Sequence, residues 1–361
     1  MTATLSRAAA GRTAFHTLTV RDVERLTDDA AAVTFDLPAG LRHVFDFAAG
    51  QSLTLRRVVD GVEHRRTYSI CAPVGSPPRI GVREVPDGLF SAWLVHDVRP
   101  GDRVEVQAPS GRFRVDPAAG GRHLCIAAGS GITPVLSITA TLLRNPDARV
   151  TLLYGNRTTA SVMFAEELAD LKDAHHDRLD LVHVLSREPR DVDLFSGRLD
   201  ADRLRALLTL VVPVGDVDHV WLCGPLGMQD GARAVLAELG VPADRVHVEL
   251  FWVDEPPPQL RHADRVADGA TSQVTVVLDG RSTTSAMPRD TRLLDAAQEV
   301  RADLPFACKG GVCGTCRARV REGEVDMVRN YALEESEVAA GFVLTCQSFP
   351  VSDEVVVDFD A

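Results

Sequence analysis

Apolar and polar positions alternate in short runs along the first part of the chain. QSLTLRRVV, RRTYSI and DRVEVQAP are such runs, and Gly, Pro and Asp separate them. Alternation between turn-forming residues predicts β-strands, and a succession of short strands predicts an antiparallel barrel. We therefore predict a first domain over residues 1–116.

Between residues 119 and 254 the pattern changes to fully apolar runs that alternate with helical stretches. HLCIAAG, RVTLLYG, LDLVHVLS and HVWLCG are typical of buried strands, whereas TPVLSITATLLR and MFAEELADLK have helical spacing. This alternation predicts an α/β domain whose parallel strands are joined by crossover helices.

A proline-rich polar stretch at 255–268 predicts a linker to a third, small domain at 269–361. In QVTVVLDGRS the dipeptide Asp279-Gly280 stands between an apolar run and the next polar strand, which is a strong hairpin signal.

Composition narrows the class of protein. The 361 residues are 45% hydrophobic and 25% charged, as in globular proteins, and the net charge of -12 argues against a nucleic-acid partner. No apolar run approaches the roughly 18 residues of a membrane span, and the N-terminus lacks a signal-peptide core. We expect a cytoplasmic protein with no membrane partner, in which clustered cysteines bind metal or carry out redox chemistry.

The cysteine spacing is the most specific signal. Four residues separate Cys308 from Cys313, two separate Cys313 from Cys316, and twenty-nine precede Cys346. This matches the plant-type 2Fe-2S pattern. A four-cysteine zinc site is the alternative, but such sites usually present two closely spaced pairs.

Glycines surround the clustered cysteines, whereas the other cysteines stand singly. Gly310, Gly311 and Gly314 would let the backbone adopt unusual dihedrals close to a cluster. Cys71, Cys125 and Cys223 lie among apolar residues, which is typical of buried, inert thiols.

The α/β domain carries candidate nucleotide-binding residues after its predicted strands. GSGITP at 129–134 suggests a tight turn, with Thr133 as the N-cap of a helix and Pro134 as its first residue, although the match to G-x-G-x-x-G is incomplete. YGNR supplies Asn156 and Arg157, and LSRE supplies Ser186 and Arg187. Two arginines and a serine suit a 2′-phosphate, and surface arginines with no ligand are the alternative.

These motifs together resemble the ferredoxin–NADP reductase superfamily. RRTYSI is similar to its flavin signature, GSGITP and CGPLGM to its pyridine-nucleotide motifs, and CKGGVCGTC with VLTCQS to plant-type ferredoxins. The order of domains resembles that of oxygenase reductases, and most closely the reductases of phenylacetyl-CoA epoxidase systems. The resemblance implies an antiparallel β-barrel FAD domain, an α/β parallel-sheet nucleotide domain and an α+β β-grasp ferredoxin domain.

The resemblance also implies roles for individual residues. Those implied to contact FAD are Arg66, Thr67, Tyr68, Ser69, Val82, Arg83, Val85, Gly88, Leu89, Phe90, Ser91, Thr133 and Phe251. Those implied to bind NADP(H) are Gly129, Ser130, Gly131, Thr133, Pro134, Asn156, Arg157, Ser186, Arg187, Cys223, Gly224, Pro225 and Met228. Ser69 and Cys223 would shape the hydride-transfer pocket, and Glu249, the third residue assigned to catalysis, would close over the flavin with Phe251. Cys308, Cys313, Cys316 and Cys346 would ligate the cluster.

The activity implied by the resemblance is electron transfer from NADPH through FAD and a 2Fe-2S cluster to the oxygenase of a multicomponent monooxygenase. A flavin is needed because NADPH delivers two electrons at once and the cluster accepts one. Residues 269–361 carry fifteen acidic and nine basic side chains, which favours a positively charged partner. A reductase of a Rieske-type oxygenase is the runner-up, followed by a stand-alone flavoenzyme and a redox sensor.

Overall fold

The computed structural model describes residues 14–86, 88–212, 214–251 and 269–361. It divides into two compact units, one formed by residues 15–64 and 68–251, the other centred on residues 269–361 and including 65–67. The predicted linker at 255–268 lies outside the described residues, as do residues 1–13 of the predicted first domain.

The first sheet is antiparallel and closes on itself. Its strands are β1 Phe15–Thr27, β2 Ala30–Asp36, β3 Ser52–Val59, β4 Val62–Ser69, β5 Arg79–Arg83 and β6 Arg103–Gln107, in the spatial order β4-β3-β6-β1-β2-β5. An antiparallel bridge between Ile70 and Ile80 joins the end of β4 to β5, the two ends of that order. Leu18, Phe35 and Leu53 are fully buried in the core of this sheet. The predicted antiparallel barrel is confirmed.

A short helix, α1 Leu89–Ala92, follows β5. The second sheet is parallel, with strands β7 Gly121–Ala128, β8 Ala148–Asn156, β9 Leu179–Leu185, β10 His219–Cys223 and β11 Val246–Glu249 in the order β11-β10-β7-β8-β9. The crossover helices are α2 Ile132–Leu142, α3 Ala165–Ala174, α4 Ala201–Leu210 and α5 Leu226–Glu238. The predicted α/β domain is therefore confirmed.

The order of the parallel strands determines where a ligand can bind. The chain passes from β7 to β8 on one side and later returns to β10 on the other side of β7. A crevice forms where the strand order reverses in this way, outside the carboxyl ends of the strands. The ends of β7 and β10 therefore mark the expected site.

The barrel packs against the parallel sheet through helix α2. Ala30 and Cys71 of the barrel share one buried cluster with Ile132 and Val135 of α2. The Ser137 hydroxyl on α2 donates to the Ala72 carbonyl at 2.6 Å. Because both partners of this bond are buried, the bond fixes the barrel on the nucleotide domain.

Residues 269–361 form a mixed sheet with short helices. The strands are β12 Thr271–Leu278, β13 Arg281–Pro288, β14 Arg317–Glu322, β15 Val325–Met327, β16 Phe342–Leu344, β17 Ser348–Pro350 and β18 Glu354–Asp358. The helices are α6 Leu293–Gln298 and α7 Glu335–Ala339. The main sheet has the order β13-β12-β18-β14-β16, and β12 and β18 are parallel.

The hairpin between β12 and β13 turns at the predicted dipeptide. Asp279 and Gly280 both have positive φ, at 53° and 69°, as a type I′ turn requires. The Asp360 carboxylate accepts both turn N–H groups at 2.8 Å. Among the helices that the structure describes, none combines the length and apolar character needed to span a membrane.

Candidate functional site

The four clustered cysteines lie in two pairs. The thiol of Cys308 lies beside that of Cys313, and the thiol of Cys316 lies beside that of Cys346. In the described parts of the chain, no three His, Cys, Asp or Glu side chains come close enough together to hold one metal ion. Four neighbouring cysteine thiols fit the four-thiolate ligand set of a 2Fe-2S cluster.

The loop before Cys316 directs backbone N–H groups at sulfur. The pKa of Cys308 is lowered to about 5, first by the neighbouring thiol of Cys313 and then by backbone N–H groups of the loop. One of these is the Gly310 N–H, which lies 3.3 Å from the Cys308 Sγ. N–H donors to sulfur stabilise the thiolate form that metal ligation requires.

Left-handed backbone occurs at three positions of this loop. Gly311 and Gly314 have φ of 82° and 66°, as predicted from their lack of a side chain. Gly310 does not, and its role is the N–H bond to Cys308. Lys309 takes a φ of 51° instead, held by a 2.7 Å ion pair with Asp295 and by the Gln347 amide, which donates to its carbonyl at 2.8 Å.

A second group of polar residues lies where the barrel meets the parallel sheet. Cys223 ends β10 and pairs in register with Glu249 at the end of β11. The Ser69 hydroxyl, at the end of β4, donates to the Glu249 carboxylate at 3.1 Å. The structure thus brings together Ser69 and Cys223, predicted to shape the hydride-transfer pocket, and Glu249, predicted to close over the flavin.

Burial keeps this pocket neutral. Desolvation raises the pKa of Glu249 to about 8, and its hydrogen bond with Ser69 only partly offsets the effect. Desolvation and the nearby Glu249 raise the pKa of the Cys223 thiol well above its ordinary value. Cys223 is therefore a neutral packing group and no nucleophile.

The turns after β7 and β10 touch each other. A Cβ placed on Gly131 would lie 2.1 Å from the Cys223 carbonyl oxygen, so only glycine fits there. Gly129 has a φ of 55°, and the Tyr154 hydroxyl donates to its carbonyl at 3.0 Å. Because these glycines carry no side chain, the pyrophosphate of a nucleotide could come close to the backbone at the start of α2.

The predicted cap of α2 was wrong. The helix begins at Ile132 with Gly131 as its N-cap, so Thr133 and Pro134 both lie inside the first turn. The Thr133 hydroxyl donates to the Ser130 carbonyl at 2.8 Å and is buried. The sequence pattern identified the turn correctly but placed the cap two residues late, because the preceding tight turn already supplies a glycine cap.

The coenzyme-phosphate candidates lie side by side at the ends of β8 and β9. The Ser186 N–H donates to the Asn156 carbonyl at 2.9 Å, and the Arg187 N–H donates to the Arg157 carbonyl at 2.8 Å. Both arginine side chains are exposed. The buried amide of Asn156 has no hydrogen-bond partner within the described residues, which marks it as a candidate contact for a polar ligand.

Aromatic side chains surround the predicted flavin signature. The Tyr68 ring lies 6.1 Å from that of Phe90, which contacts Trp93 edge-on at 5.6 Å. The Arg57 guanidinium lies over the Trp93 ring at 4.4 Å. Neither Trp93 nor Arg57 was predicted from the sequence. The nearby Leu89 is 61% exposed, so this surface has the apolar character that a flavin ring covers.

Other predicted flavin residues occupy varied positions. Val82 is buried in the barrel core, and the Ser91 hydroxyl accepts the Val85 N–H and donates to the Gly88 carbonyl. Arg66 donates to the Arg65 carbonyl at 2.7 Å, Thr67 lies beside it on β4, and Phe251 packs at the edge of the interdomain core.

At the nucleotide turns, Pro225 caps α5 and Met228 lies against Gly224.

Three further residues hold the site together and were missed in the sequence. Asp29 pairs with Arg83 at 3.2 Å. The Gln229 amide donates to the carbonyls of Gly224 and Glu249, both at 2.8 Å. Glu188 binds the loop that follows β8. Each acts on a partner far along the chain, so no local spacing marks it.

Family models match the chain in three segments. They are described as an oxidoreductase FAD-binding domain over residues 17–115, an oxidoreductase NAD-binding domain over 125–234 and a 2Fe-2S iron-sulfur cluster binding domain over 276–351. The chain belongs to the oxidoreductases that combine these three domains. It is an FAD- and iron–sulfur-dependent NAD(P)H oxidoreductase, and the residues described above fit all three groups.

Individual relatives cover nearly the whole chain. It is 44% identical to one of the subunits of 1,2-phenylacetyl-CoA epoxidase of Escherichia coli over 97% of this chain and 99% of that protein. It is 36% identical to the ferredoxin reductase component of 3-ketosteroid-9-alpha-monooxygenase of Mycobacterium tuberculosis over 95% of both chains. Phthalate dioxygenase reductase shares the fold, with a TM-score of 0.61 at 24% identity over 96% of this chain and 98% of the other.

Proposed function

We propose that this protein is the reductase of a multicomponent monooxygenase, and specifically of a phenylacetyl-CoA epoxidase. The observation that carries the specific proposal is the 44% identity to a component of that enzyme, which extends over almost the entire length of both chains. Electrons pass from NADPH through FAD and the 2Fe-2S cluster to the oxygenase. We further propose domains at 1–116, 119–254 and 269–361, with a linker at 255–268.

The chain's own residues bind and orient the reacting groups. Bound FAD supplies the chemistry that accepts a hydride and releases electrons one at a time. Arg66 and the α1 segment would hold the flavin phosphates, and Tyr68 would lie against its ring. Ser69 donates to the carboxylate of Glu249, and the neutral Cys223 thiol fills the space beside the nicotinamide without reacting.

The ferredoxin segment is proposed to hold its cluster with the two cysteine pairs. Cys308, Cys313, Cys316 and Cys346 would supply the four thiolates that hold the cluster, and the cluster would accept one electron at a time. Gly310 donates its N–H to the Cys308 sulfur, which stabilises that ligand as a thiolate.

We propose NADPH as the preferred coenzyme, because Arg157 and Arg187 lie on adjacent strand ends with exposed side chains. Two guanidinium groups suit a 2′-phosphate, whereas NAD sites usually offer a carboxylate to the ribose. NADPH, together with free thiols at Cys71, Cys125 and Cys223, also suits a reducing cytoplasm.

The Arg187→Ala variant tests coenzyme selection. A lost charge-assisted bond is worth about 1.5–3 kcal/mol, so kcat/KM with NADPH should fall about tenfold or more while that with NADH stays within about twofold. Arg233→Ala, an exposed arginine on α5, is the matched control and should change neither. An equal loss with both coenzymes would contradict the assignment.

The docking surface for the oxygenase is proposed to be acidic. Residues 269–361 have six more acidic than basic side chains (15 against 9). Glu334 and Glu335 are exposed and follow Ala332, whose Cβ is within 3.6 Å of a Cβ built on Gly314 of the cysteine loop. Such charges steer encounters, so electron transfer should slow as salt rises above about 0.1 M.

Reconstitution tests the choice of partner. The purified protein, NADPH and the oxygenase of a phenylacetyl-CoA epoxidase should convert phenylacetyl-CoA, and omission of the reductase should stop the reaction. A 3-ketosteroid monooxygenase is the second candidate because a reductase of that system is 36% identical. Turnover with the steroid oxygenase and none with the epoxidase would overturn the specific proposal while leaving the reductase class intact.

A further inference from the structure

A four-residue loop, Thr158–Ser161, begins directly after Arg157. A capping box closes it, since the Ser161 hydroxyl accepts the Thr158 N–H at 3.0 Å and donates to the Thr158 carbonyl at 2.8 Å. The capping box orders the loop internally. Its position relative to Arg187 depends on contacts from outside the loop.

Glu188 supplies those contacts from the end of β9. One carboxylate oxygen accepts the Thr159 N–H and the other accepts the Thr159 hydroxyl, both at 2.7 Å. The hydroxyl bond comes first and the N–H bond second among the causes that lower the pKa of Glu188. Both carboxylate oxygens of Glu188 are thus bonded to Thr159.

The barrel holds the other end of the same loop. Arg83 donates to the Ser161 carbonyl at 2.8 Å, and Asp29 pairs with the same guanidinium at 3.2 Å. The loop is therefore clamped from two sides by Glu188 and Arg83. Of these two, only Glu188 is adjacent in the chain to a proposed phosphate-binding arginine.

This clamp extends the connection between β8 and β9 beyond the sheet. The last backbone bond between the two segments is the one from the Arg187 N–H to the Arg157 carbonyl. The two bonds from Glu188 lie one residue past Arg187 and two residues past Arg157, so together with that backbone bond they fix the separation of both arginine backbones. A displacement of about 1 Å in positioned groups is costly in binding and catalysis.

We propose that Glu188 is a positioning residue that sets the spacing of Arg157 and Arg187 and thereby determines selectivity for the 2′-phosphate of the coenzyme. This inference rests on the proposed function, which assigns the phosphate to those arginines. An opposing effect is also expected, because the negative charge of the Glu188 carboxylate would repel a nearby 2′-phosphate and weaken its binding. Two substitutions at this one position separate the effects.

Glu188→Ala removes both bonds and the charge. If positioning dominates, KM for NADPH rises about five- to tenfold, kcat changes less than twofold and KM for NADH stays within about twofold. In calorimetry on the FAD-loaded full chain, binding of 2′,5′-ADP weakens by the same factor and binding of 5′-AMP does not change.

Glu188→Gln removes the charge but keeps an amide oxygen for the Thr159 N–H and an amide N–H for its hydroxyl oxygen. It should bind 2′,5′-ADP at least as tightly as the wild type. Thr159→Val, which loses the hydroxyl bond only, should fall between Glu188→Ala and the wild type, and it replaces Glu188→Ala if that variant does not fold.

Unchanged or tighter binding of 2′,5′-ADP by both Glu188→Ala and Thr159→Val would overturn the inference. Tighter binding would mean that Glu188 acts by repelling the phosphate, and unchanged binding would mean that it has no effect on the phosphate site. The result is separable from that of the proposed function. If Arg187→Ala is selective for NADPH and Glu188→Ala is not, only the positioning role fails; if Arg187→Ala is unselective, the phosphate assignment itself fails.

Discussion

Cys308 in the cysteine loop at 308–316 and Cys223 in the pocket at the end of β10 are the same side chain in opposite electrostatic environments. In the loop, a neighbouring thiol and backbone N–H donors lower the pKa of Cys308 to about 5. In the pocket, desolvation and the nearby Glu249 raise the pKa of Cys223 far above its ordinary value. The surroundings thus favour the thiolate form at Cys308 and the neutral thiol at Cys223. Within the same loop, the neighbouring thiols Cys308 and Cys346 and desolvation raise the pKa values of Cys313 and Cys316 well above the ordinary value.

The two regions also differ in how the chain assembles them. Three of the four clustered cysteines lie within nine residues, so the loop itself brings them together. Ser69 and Glu249 are 180 residues apart and meet because a barrel strand ends against an edge strand of the parallel sheet. Damage to the loop should therefore be local, whereas the pocket should be sensitive to packing between domains.

The largest expected effect is the loss of the cluster. Cys313→Ser should abolish cluster absorbance and electron transfer to the oxygenase, because a serine hydroxyl is a much poorer ligand for an iron–sulfur cluster than a thiolate. Flavin reduction by NADPH should persist, since the flavin lies in another region. Cys125→Ser, a buried thiol outside the loop, is the control and should retain the cluster. If Cys313→Ser also stops flavin reduction, the two regions are not independent.

The next effect concerns packing in the pocket. Gly131→Ala would place a Cβ 2.1 Å from the Cys223 carbonyl oxygen, so the two turns must separate. Overpacking costs about 1–3 kcal/mol, and a shift near 1 Å lowers rates about 100-fold, so flavin reduction should slow strongly while cluster absorbance stays normal.

Gly227→Ala is the matched control, because a Cβ there meets nothing within 4 Å and alanine favours the helix. It should leave flavin reduction unchanged. Equal rates for Gly131→Ala and Gly227→Ala in stopped-flow measurements would show that the turns tolerate separation.

The smallest effect is a pH dependence of stability. The pKa of Glu249 is about 8 against an ordinary value of 4.5, so the folded state retains a proton that the unfolded state releases. Its contribution to stability is full below about pH 4.5 and is lost as the pH rises through about 8. Relative to Glu249→Gln, the Tm of the wild type should therefore fall between pH 5 and 8. The fall should be about 2–4 °C for each 1 kcal/mol of unfolding free energy that is lost.

Glu238→Gln serves as the control for this measurement. Glu238 is exposed and pairs with Arg205 at 2.9 Å, so its replacement should not alter how Tm changes across this range. Parallel curves for the wild type and Glu249→Gln would mean that the Glu249 carboxyl is already ionised at neutral pH.

Much of the fold could be predicted because its signals are local. Periodicity distinguished the barrel from the parallel sheet, and Asp279-Gly280 marked the hairpin that the structure contains. The cluster-binding domain followed from spacing between cysteines. Each of these signals lies within a few residues of chain, where geometry depends on local sequence.

The rest of the site depends on contacts that the sequence does not encode locally. The side chain of Gln229 bridges Gly224 and the distant Glu249, and nothing in its neighbourhood distinguishes it from a surface glutamine. The cap of α2 was misplaced for a related reason: Thr133 is a good N-cap by type, but its hydroxyl is bonded to Ser130 inside the first turn.

Strand order in the ferredoxin segment bears on how this part of the protein is made. β18 fills the middle of the sheet between β12 and β14, yet it is the last of the described strands to leave the ribosome. All four cysteines are therefore synthesised before the sheet around them can close. Pairing of β12 with β18 joins residues nearly a whole domain apart, which slows folding. Completion of the sheet is thus a late event in biogenesis, and truncation within Glu354–Asp358 should yield a chain that has every ligand but lacks the strand at the centre of the sheet.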